Sequence, residues 1–449
     1  MKKNLLITGI GFLLIGASIF SACTKEGPMG PAGANGTNGT NGTNGTNGTD
    51  GTAGCITCHN PEKVGVVLTE FQLSKHSFGA AAFEEAGNTS CAPCHSSEGF
   101  QYVSANNTPA TFTLGTSGTY VNNYTSVGTS AIGNLLCQTC HSSLHTTYTS
   151  ADIPALTTIA AVPMIMWGGT KTIDLAGDDH IGNLCVKCHQ PRPVTTGATS
   201  AGKGNVLDYA SLAANPTAVF FDPASTSNLV KPSYRTGVHY GAAGAIYAGM
   251  GGVEFAGESY TNSTHTLVAS CQQCHMATQT GAAGGHTFVA KGNYTGCNVD
   301  GCHAAAPLDA KSSKVTDITT SVKSKLDALA AKLKIGTVEI LSRNPDSEGN
   351  LWYGKTTNNY DGYFNVYDPS SNPEGEINNP GGVLQNPSPS NSWTADQKAY
   401  NLTLPKLTLT NAQMGAIINF ELCLRDYSLG IHNTSYTKAL LNNSIAILP

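Results

Sequence analysis

Residues 296–303 read GCNVDGCH, two cysteines with four residues between them and a histidine directly after the second. Alone, the stretch fits a disulfide, a pair of metal ligands or a covalent attachment point equally well. Five other stretches decide how it is read. They are Cys55-Ile-Thr-Cys58-His59, Cys91-Ala-Pro-Cys94-His95, Cys137-Gln-Thr-Cys140-His141, Cys185-Val-Lys-Cys188-His189 and Cys271-Gln-Gln-Cys274-His275. Each is Cys-x-x-Cys-His, and the 296–303 octet differs only in its longer spacer.

Cys-x-x-Cys-His is the spacing that attaches c-type haem. Two thiols add to the two vinyl groups on one porphyrin edge, and the adjacent histidine reaches under the ring to the iron. A structural zinc site would instead need the clusters to combine into four ligands. A disulfide framework gives no reason for a histidine after every second cysteine. A thioredoxin-like pair would occur once, on a strand–helix unit. On this reading Cys297, Cys302 and His303 form a sixth site if the spacer bulges outward. Asn298 and Asp300-Gly301 suit such a bulge, because Asn and Gly tolerate left-handed backbone. A disulfide between Cys297 and Cys302 is the plainer alternative. The expected cofactor is therefore haem c in six copies, five from Cys-x-x-Cys-His and one from the longer spacer. The remaining Cys423 lies in an apolar helical setting and reads as a buried, inert thiol.

The chain has 13 histidines. Six follow the cysteine pairs and read as proximal ligands: His59, His95, His141, His189, His275 and His303. Six more are candidate distal ligands: His76, His145, His239, His265, His286 and His432. The seventh, His180, is the spare, flanked by Asp178 and Asp179. Two imidazoles on one iron favour a low potential, whereas a methionine raises it. They also leave no open position for a substrate, so such a site carries electrons and does not catalyse.

Outside the motifs the chain reads in four parts. Lys2 and Lys3, the apolar run Leu5–Ile19 and the small residues Ser21 and Ala22 mark a signal peptide over 1–22. Cys23 follows the small pair as in a bacterial lipobox, which makes it the expected lipidation site; plain cleavage near Ala22 is the alternative. Residues 23–54 are a collagen-like tether with glycine at every third position from Gly27 to Gly54, read as a flexible spacer or as a short triple helix. Residues 55–305 hold every motif and are expected to form a six-haem domain. Residues 306–449 are expected to be a helical region packed on the haems. Within it, Val315, Ile318, Val322, Leu326, Leu329 and Leu333 recur at helical spacing, with Gly336 as a stop. A second helix is predicted from about Asn411 to Ser428, capped by Thr410 and stopped by Gly430, and a third from about Ser435 to Ile445. Between them, 342–395 is a long loop rich in Asn, Pro and Gly. Charged residues are only 12 % of the chain, the net charge is −5, and no basic run follows Lys2-Lys3, which argues against a nucleic-acid partner. No segment after the leader has the ~18 consecutive apolar residues of a membrane helix.

With these motifs the chain resembles the multihaem c-type cytochromes of bacterial respiration. The C-terminal LGIHNTSYTKALLNNS, residues 429–444, is similar to the ending of the nitrite and tetrathionate reductase group, a likeness that supports His432 as a ligand. The Cys-x-x-Cys-Lys haem of the pentahaem nitrite reductases has no counterpart in the sequence, so the resemblance does not carry reductase activity. It implies a mostly α fold with much irregular loop, in a multihaem cytochrome c architecture wrapped around a chain of haems. It further implies an exported electron carrier, lipid-anchored in the cell envelope, with six low-potential and mainly bis-His haems. The expected partners are other cytochromes or quinol-linked donors, the membrane through the lipid, and an extracellular electron acceptor. The alternatives are a haem reductase of a small oxyanion or nitrogen compound with one open iron, and a subunit of a cytochrome filament.

Overall fold

The computed structural model describes residues 61–78, 91–106, 113–114, 120–121, 134–141, 156–167, 169–192, 194, 207–222, 224–225, 236–336, 338–343, 360–364 and 407–449. Cys23, Cys55, Cys58, His59 and His145 lie outside them, as do the leader, the tether and most of 342–395. The described residues belong to one unit, Thr52–Pro449.

Helices dominate, and most are short. In chain order they are α1 (Pro61–Leu73), α2 (Lys75–Phe78), α3 (Ala92–His95), α4 (Ser97–Ala105), α5 (Cys137–Cys140), α6 (Gly182–Val186), α7 (Tyr209–Ala214), α8 (Ala243–Tyr247), α9 (His265–Val268), α10 (Cys271–His275), α11 (Ser313–Lys332), α12 (Asn411–Arg425) and α13 (Thr434–Ile447). Ten strands of two to five residues pair into five two-stranded antiparallel ribbons. One ribbon joins Val219–Phe221 to Leu409–Thr410 and so ties the middle of the chain to the start of α12.

The three predicted C-terminal helices are all present. α11 begins and ends within a few residues of the predicted span, and Gly336 beyond it takes φ +61°. The Thr410 hydroxyl accepts from the Gln413 amide, and the Gln413 side chain returns a bond to the Thr410 amide, a full capping box at the start of α12. Gly430, at φ +90°, turns the chain between α12 and α13.

α12 is the centre of the core. Every residue from Ala412 to Arg425 is buried, as expected of a helix covered on all sides. α11 and α13 pack against it and against each other, and α7 and the ribbon strands cover the rest. The polar residues of α12 bond to distant backbone. Asn419 pairs with both backbone groups of Val253, donating to its carbonyl at 2.8 Å and accepting from its amide at 2.7 Å. Glu421 accepts from the Val238 amide at 2.7 Å. Arg425 lies 3.4 Å from Glu421, donates to the carbonyls of Val238 and Gly362, and sits 4.4 Å over the Tyr240 ring. Buried groups of this kind are tolerated only when so satisfied. Gly237 is obligatory here, because a Cβ would stand 1.5 Å from a Glu421 carboxylate oxygen.

The fold corrects one expectation. A mostly helical chain with much irregular loop is what the described residues show. The multihaem cytochrome c architecture is not. One core of the chain's own side chains runs from Met164 and Phe255 of the 55–305 stretch through Leu326, Phe420 and Leu440 of the C-terminal region, where a fold wrapped around haems was expected. Among the described residues, moreover, no group of three or more His, Cys, Asp or Glu is placed to hold a metal ion.

Candidate functional site: paired imidazoles beside paired thiols

The described cysteine motifs share one local geometry. In 91–95, 137–141 and 271–275 the two cysteines bracket a single helical turn, α3, α5 or α10. In 185–189 the turn continues from the end of α6. A three-residue step on a helix puts both thiols on one face. The histidine amide closes the turn onto the first cysteine's carbonyl: His95 to Cys91 at 3.1 Å, His141 to Cys137 at 2.9 Å and His189 to Cys185 at 2.9 Å. The stretch 297–303 closes the same way despite its longer spacer, with the His303 amide 3.0 Å from the Cys297 carbonyl. Gly301 absorbs the extra length at φ +82°. Asn298 contributes differently from expectation: its side chain clamps both backbone groups of Leu308, at 2.7 and 3.0 Å. All the described cysteines are free thiols, so no Cys297–Cys302 disulfide forms. Burial raises the Cys140 and Cys274 thiols to about 11. Cys423 is buried within α12 with its thiol also pushed up by burial, as the sequence suggested.

The histidines that follow these cysteines do not stand alone. His189 faces His76 with ring centres 6.0 Å apart, and His95 faces His239 at 6.3 Å. His303 faces His265 at 6.3 Å, and His275 faces His432 at 6.0 Å. His286 lies near enough to His141 for the two charges to repel. In every case one partner follows a cysteine pair and the other is one of the histidines predicted as distal. His180 stays outside these pairs, as expected, although its partner is Asp174 at 2.6 Å and not Asp178 or Asp179.

Half of these rings are turned alike. Nδ1 of His189 lies 3.3 Å from the Gly241 carbonyl, that of His239 2.8 Å from Tyr240, that of His265 3.2 Å from Ile431 and that of His275 2.9 Å from Phe288. A carbonyl can only accept, so Nδ1 carries the proton and Nε2 is left with its lone pair. His432 is turned the same way by Asp426, whose carboxylate oxygen stands 2.6 Å from Nδ1. Burial lowers His76 to about 4 and His239 to about 3, and also lowers His189 and His275, so these rings are neutral at pH 7. His432 differs. Burial opposes its charge, but the Asp426 carboxylate outweighs burial and raises it.

The pairs also lie close together. The thiols of Cys94 and Cys188 hydrogen-bond one another, as do those of Cys185 and Cys271, and the charges of Cys297 and Cys302 reach Cys274. Ser97 and Thr139 join the α4 and α5 segments through their hydroxyls, and Gln101 donates to the Gln138 carbonyl at 2.8 Å. Two acidic residues escaped the sequence reading. Asp426 is one. Glu70, on α1, is the other: it accepts from the His286 amide at 2.8 Å.

No family model matches the chain, no curated protein is similar to it, and no solved structure is. Together with the lack of a three-residue metal group among the described residues, these findings correct the sequence reading. Assignment to the bacterial multihaem c-type cytochromes is withdrawn, with the likeness of the C-terminal region to the nitrite and tetrathionate reductases. So are the six haem c groups, the chain of low-potential bis-His haems carrying electrons, the reductase with an open haem iron and the cytochrome filament. The physical content of the correction is that, among the described residues, no three His, Cys, Asp or Glu side chains are placed to hold a metal ion, and that the core is built of the chain's own side chains. The cysteine–histidine motifs stand in the sequence, and the geometry of their imidazoles is a fact of the fold.

Proposed function

We propose that the imidazole pairs and the thiol pairs beside them together form the functional site of an exported, lipid-anchored protein. The supporting observation is the repeated separation of 6.0–6.3 Å between paired rings. Direct ring packing falls within that range. It does not explain why Nδ1 is turned onto an acceptor in five of these rings, an orientation that fixes the ring and leaves the Nε2 lone pair to accept a proton.

A neutral imidazole offers a thiol a proton acceptor, and a pair of thiols offers reversible two-electron redox chemistry, so we read the set as a thiol site. The cysteines assigned are Cys91, Cys94, Cys137, Cys140, Cys185, Cys188, Cys271, Cys274, Cys297 and Cys302. The imidazoles are His95, His141, His189, His275 and His303 with His76, His239, His265, His286 and His432. The leader and Cys23 fit an exported, lipid-anchored chain. No helix among the described residues is long and apolar enough to cross a membrane.

The test is the mature protein from an export-competent host, measured for intact mass and for the rate at which its thiols are alkylated. The expected result is a lipid-bearing chain whose thiol reactivity changes when His76 and His239 are replaced by Ala. A chain without lipid, or one whose thiol reactivity is the same in both variants, would overturn the reading.

A further inference from the structure

Cys185 of α6 and Cys271 of α10 open two different motifs, yet their thiols hydrogen-bond one another. The chain around them brings this about. Ser270 and Gln272 both donate to the Asp178 carboxylate, which ties the start of α10 to the turn that leads into α6. The Cys271 sulfur lies 4.0 Å from the Gly182 carbonyl, at the first residue of α6. The thiols are not equivalent. The hydrogen bond from Cys185, and after it the charge of His432, lower Cys271, whereas that same bond and burial raise Cys185. Within the 271–275 turn, burial raises Cys274 to about 11. Cys271 is therefore the sulfur of this group that most readily becomes a thiolate, and the thiolate is the nucleophile.

The imidazole beside Cys271 is held for proton transfer. Nδ1 of His432 stands 2.6 Å from Asp426, whose side chain is 1 % exposed, so Nε2 is the nitrogen left to accept a proton. Ser428 donates its hydroxyl to the second Asp426 oxygen and accepts from the His432 amide at 3.1 Å. Arg425 is next in sequence, yet its guanidinium is directed to Glu421, Val238 and Gly362. The negative charge of Asp426 therefore bears chiefly on His432. Cys271 and His432 lie near enough for each to favour the charged form of the other. A thiol, an imidazole and a carboxylate in that order are the parts of an activated nucleophile. Cys94 also bonds to Cys188, but the charges that favour its thiolate are the cations of Arg192 and Lys187. Asp174 makes an equally short bond to His180, but both side chains are about half exposed and His180 belongs to no pair.

We propose that Cys271 is the attacking thiol of a thiol–disulfide exchange site, with Cys185 as its resolving partner, His432 as its proton acceptor and Asp426 as the positioning residue behind that imidazole. This rests on the thiol-site reading above and names its substrate class, a disulfide on another molecule. The Cys271 proton passes to His432, and the thiolate attacks one sulfur of the incoming disulfide. That disulfide breaks, and its other sulfur leaves as a thiol with the proton from His432. Cys185 then attacks the Cys271 sulfur, closes a Cys185–Cys271 disulfide, and gives its own proton to the second departing thiol. Two protein thiols are oxidised and one external disulfide is reduced, so no other oxidant enters. Both cysteines are free and half-buried, which leaves their sulfurs within reach of a partner.

The experiment treats reduced, mature, full-length protein with oxidised glutathione and follows each cysteine by peptide mass spectrometry over time. Wild type is expected to end with a Cys185–Cys271 disulfide, and Cys185→Ser to stall with glutathione on Cys271. His432→Ala should slow reaction at Cys271 by about a hundredfold. Asp426→Asn should slow it by a smaller factor, with the rate restored in Asp426→Glu and reaction at Cys94 unchanged throughout. A wild-type disulfide between Cys271 and Cys274 would overturn the proposal. So would a folded Asp426→Asn protein that keeps the wild-type rate at Cys271, or one that slows Cys94 and Cys271 alike, since that is the mark of a general structural effect. If Asp426→Asn fails to fold, Cys185→Ser decides: glutathione held on Cys271 supports the proposal, and glutathione on Cys274 or on neither contradicts it. Reaction at Cys94 and Cys188 with Cys271 inert would defeat this inference and leave the thiol-site reading standing. A chain in which no motif cysteine reacts would defeat both.

Discussion

The helices α11, α12 and α13 and the motif-bearing stretch 91–303 are built on different principles. The first is a conventional core. Its helices run 14 to 20 residues, carry caps and stops, and bury Leu326, Leu329, Phe420 and Leu440 against one another. The second is made of helical turns of four to nine residues joined by irregular chain. Turns that short do not persist alone. They are set in place by side-chain bonds, by the α12 polar residues and by the apolar residues they lend to the common core, Met164, Val186, Ile246 and Phe255 among them. The lesson is that stability and chemistry are unequally shared: the C-terminal helices are nearly all core, whereas the motif-bearing stretch joins that core and also carries the thiols and rings. α12 couples the two, since Glu421 and Arg425 hold Val238, next to His239, and the Arg425 carbonyl accepts from Gly241, at the loop that orients His189.

That division can be broken most severely at the coupling point. Arg425→Ala removes one partner of a buried ion pair and leaves Glu421 uncompensated, a loss of about 3–5 kcal/mol. Chemical denaturation should show it, and the thiols of Cys94 and Cys188 should open to alkylation at lower denaturant. Leu326→Ala lies wholly within the core, with no exposure to solvent, and should cost about 2–5 kcal/mol while thiol accessibility per folded chain stays constant. If Leu326→Ala opens the thiols of folded protein, the two regions are not separable in this way. Thr410→Ala removes the capping box of α12 and should cost about 1 kcal/mol, readable as a small fall in denaturation midpoint. The smallest effect is expected of Asp174→Asn, which loses only the half-exposed contact with His180 and should shift unfolding by less than about 0.5 kcal/mol in the same denaturation measurement.

Much of the first region was legible in the sequence. The spacing of Val322, Leu326 and Leu329 gives a buried helical stripe, and Thr410, Gly336 and Gly430 mark ends that the backbone confirms. Its polar core was not legible. Asn419, Asn433 and Asn443 look like surface residues in the sequence, yet each is buried and clamps a distant loop backbone. Their partners lie more than 160 positions away, and nothing local signals them. In the second region the turn geometry of the cysteine motifs was legible because it is set within five to seven residues. Which ring faces which was not, since His76 meets His189 and His95 meets His239 only through tertiary packing. Asp426 was visible six residues before His432, but a short carboxylate–imidazole contact follows only from the turn at Gly430. The family and cofactor drawn from the motifs went beyond what the comparisons and the core sustain.

The most direct measurement is a crystal structure of the mature, full-length protein. The account predicts that His95 and His239, His76 and His189, His265 and His303, and His275 and His432 stand in pairs with ring centres 6.0–6.3 Å apart. Rings dispersed to separate places in the fold would contradict it.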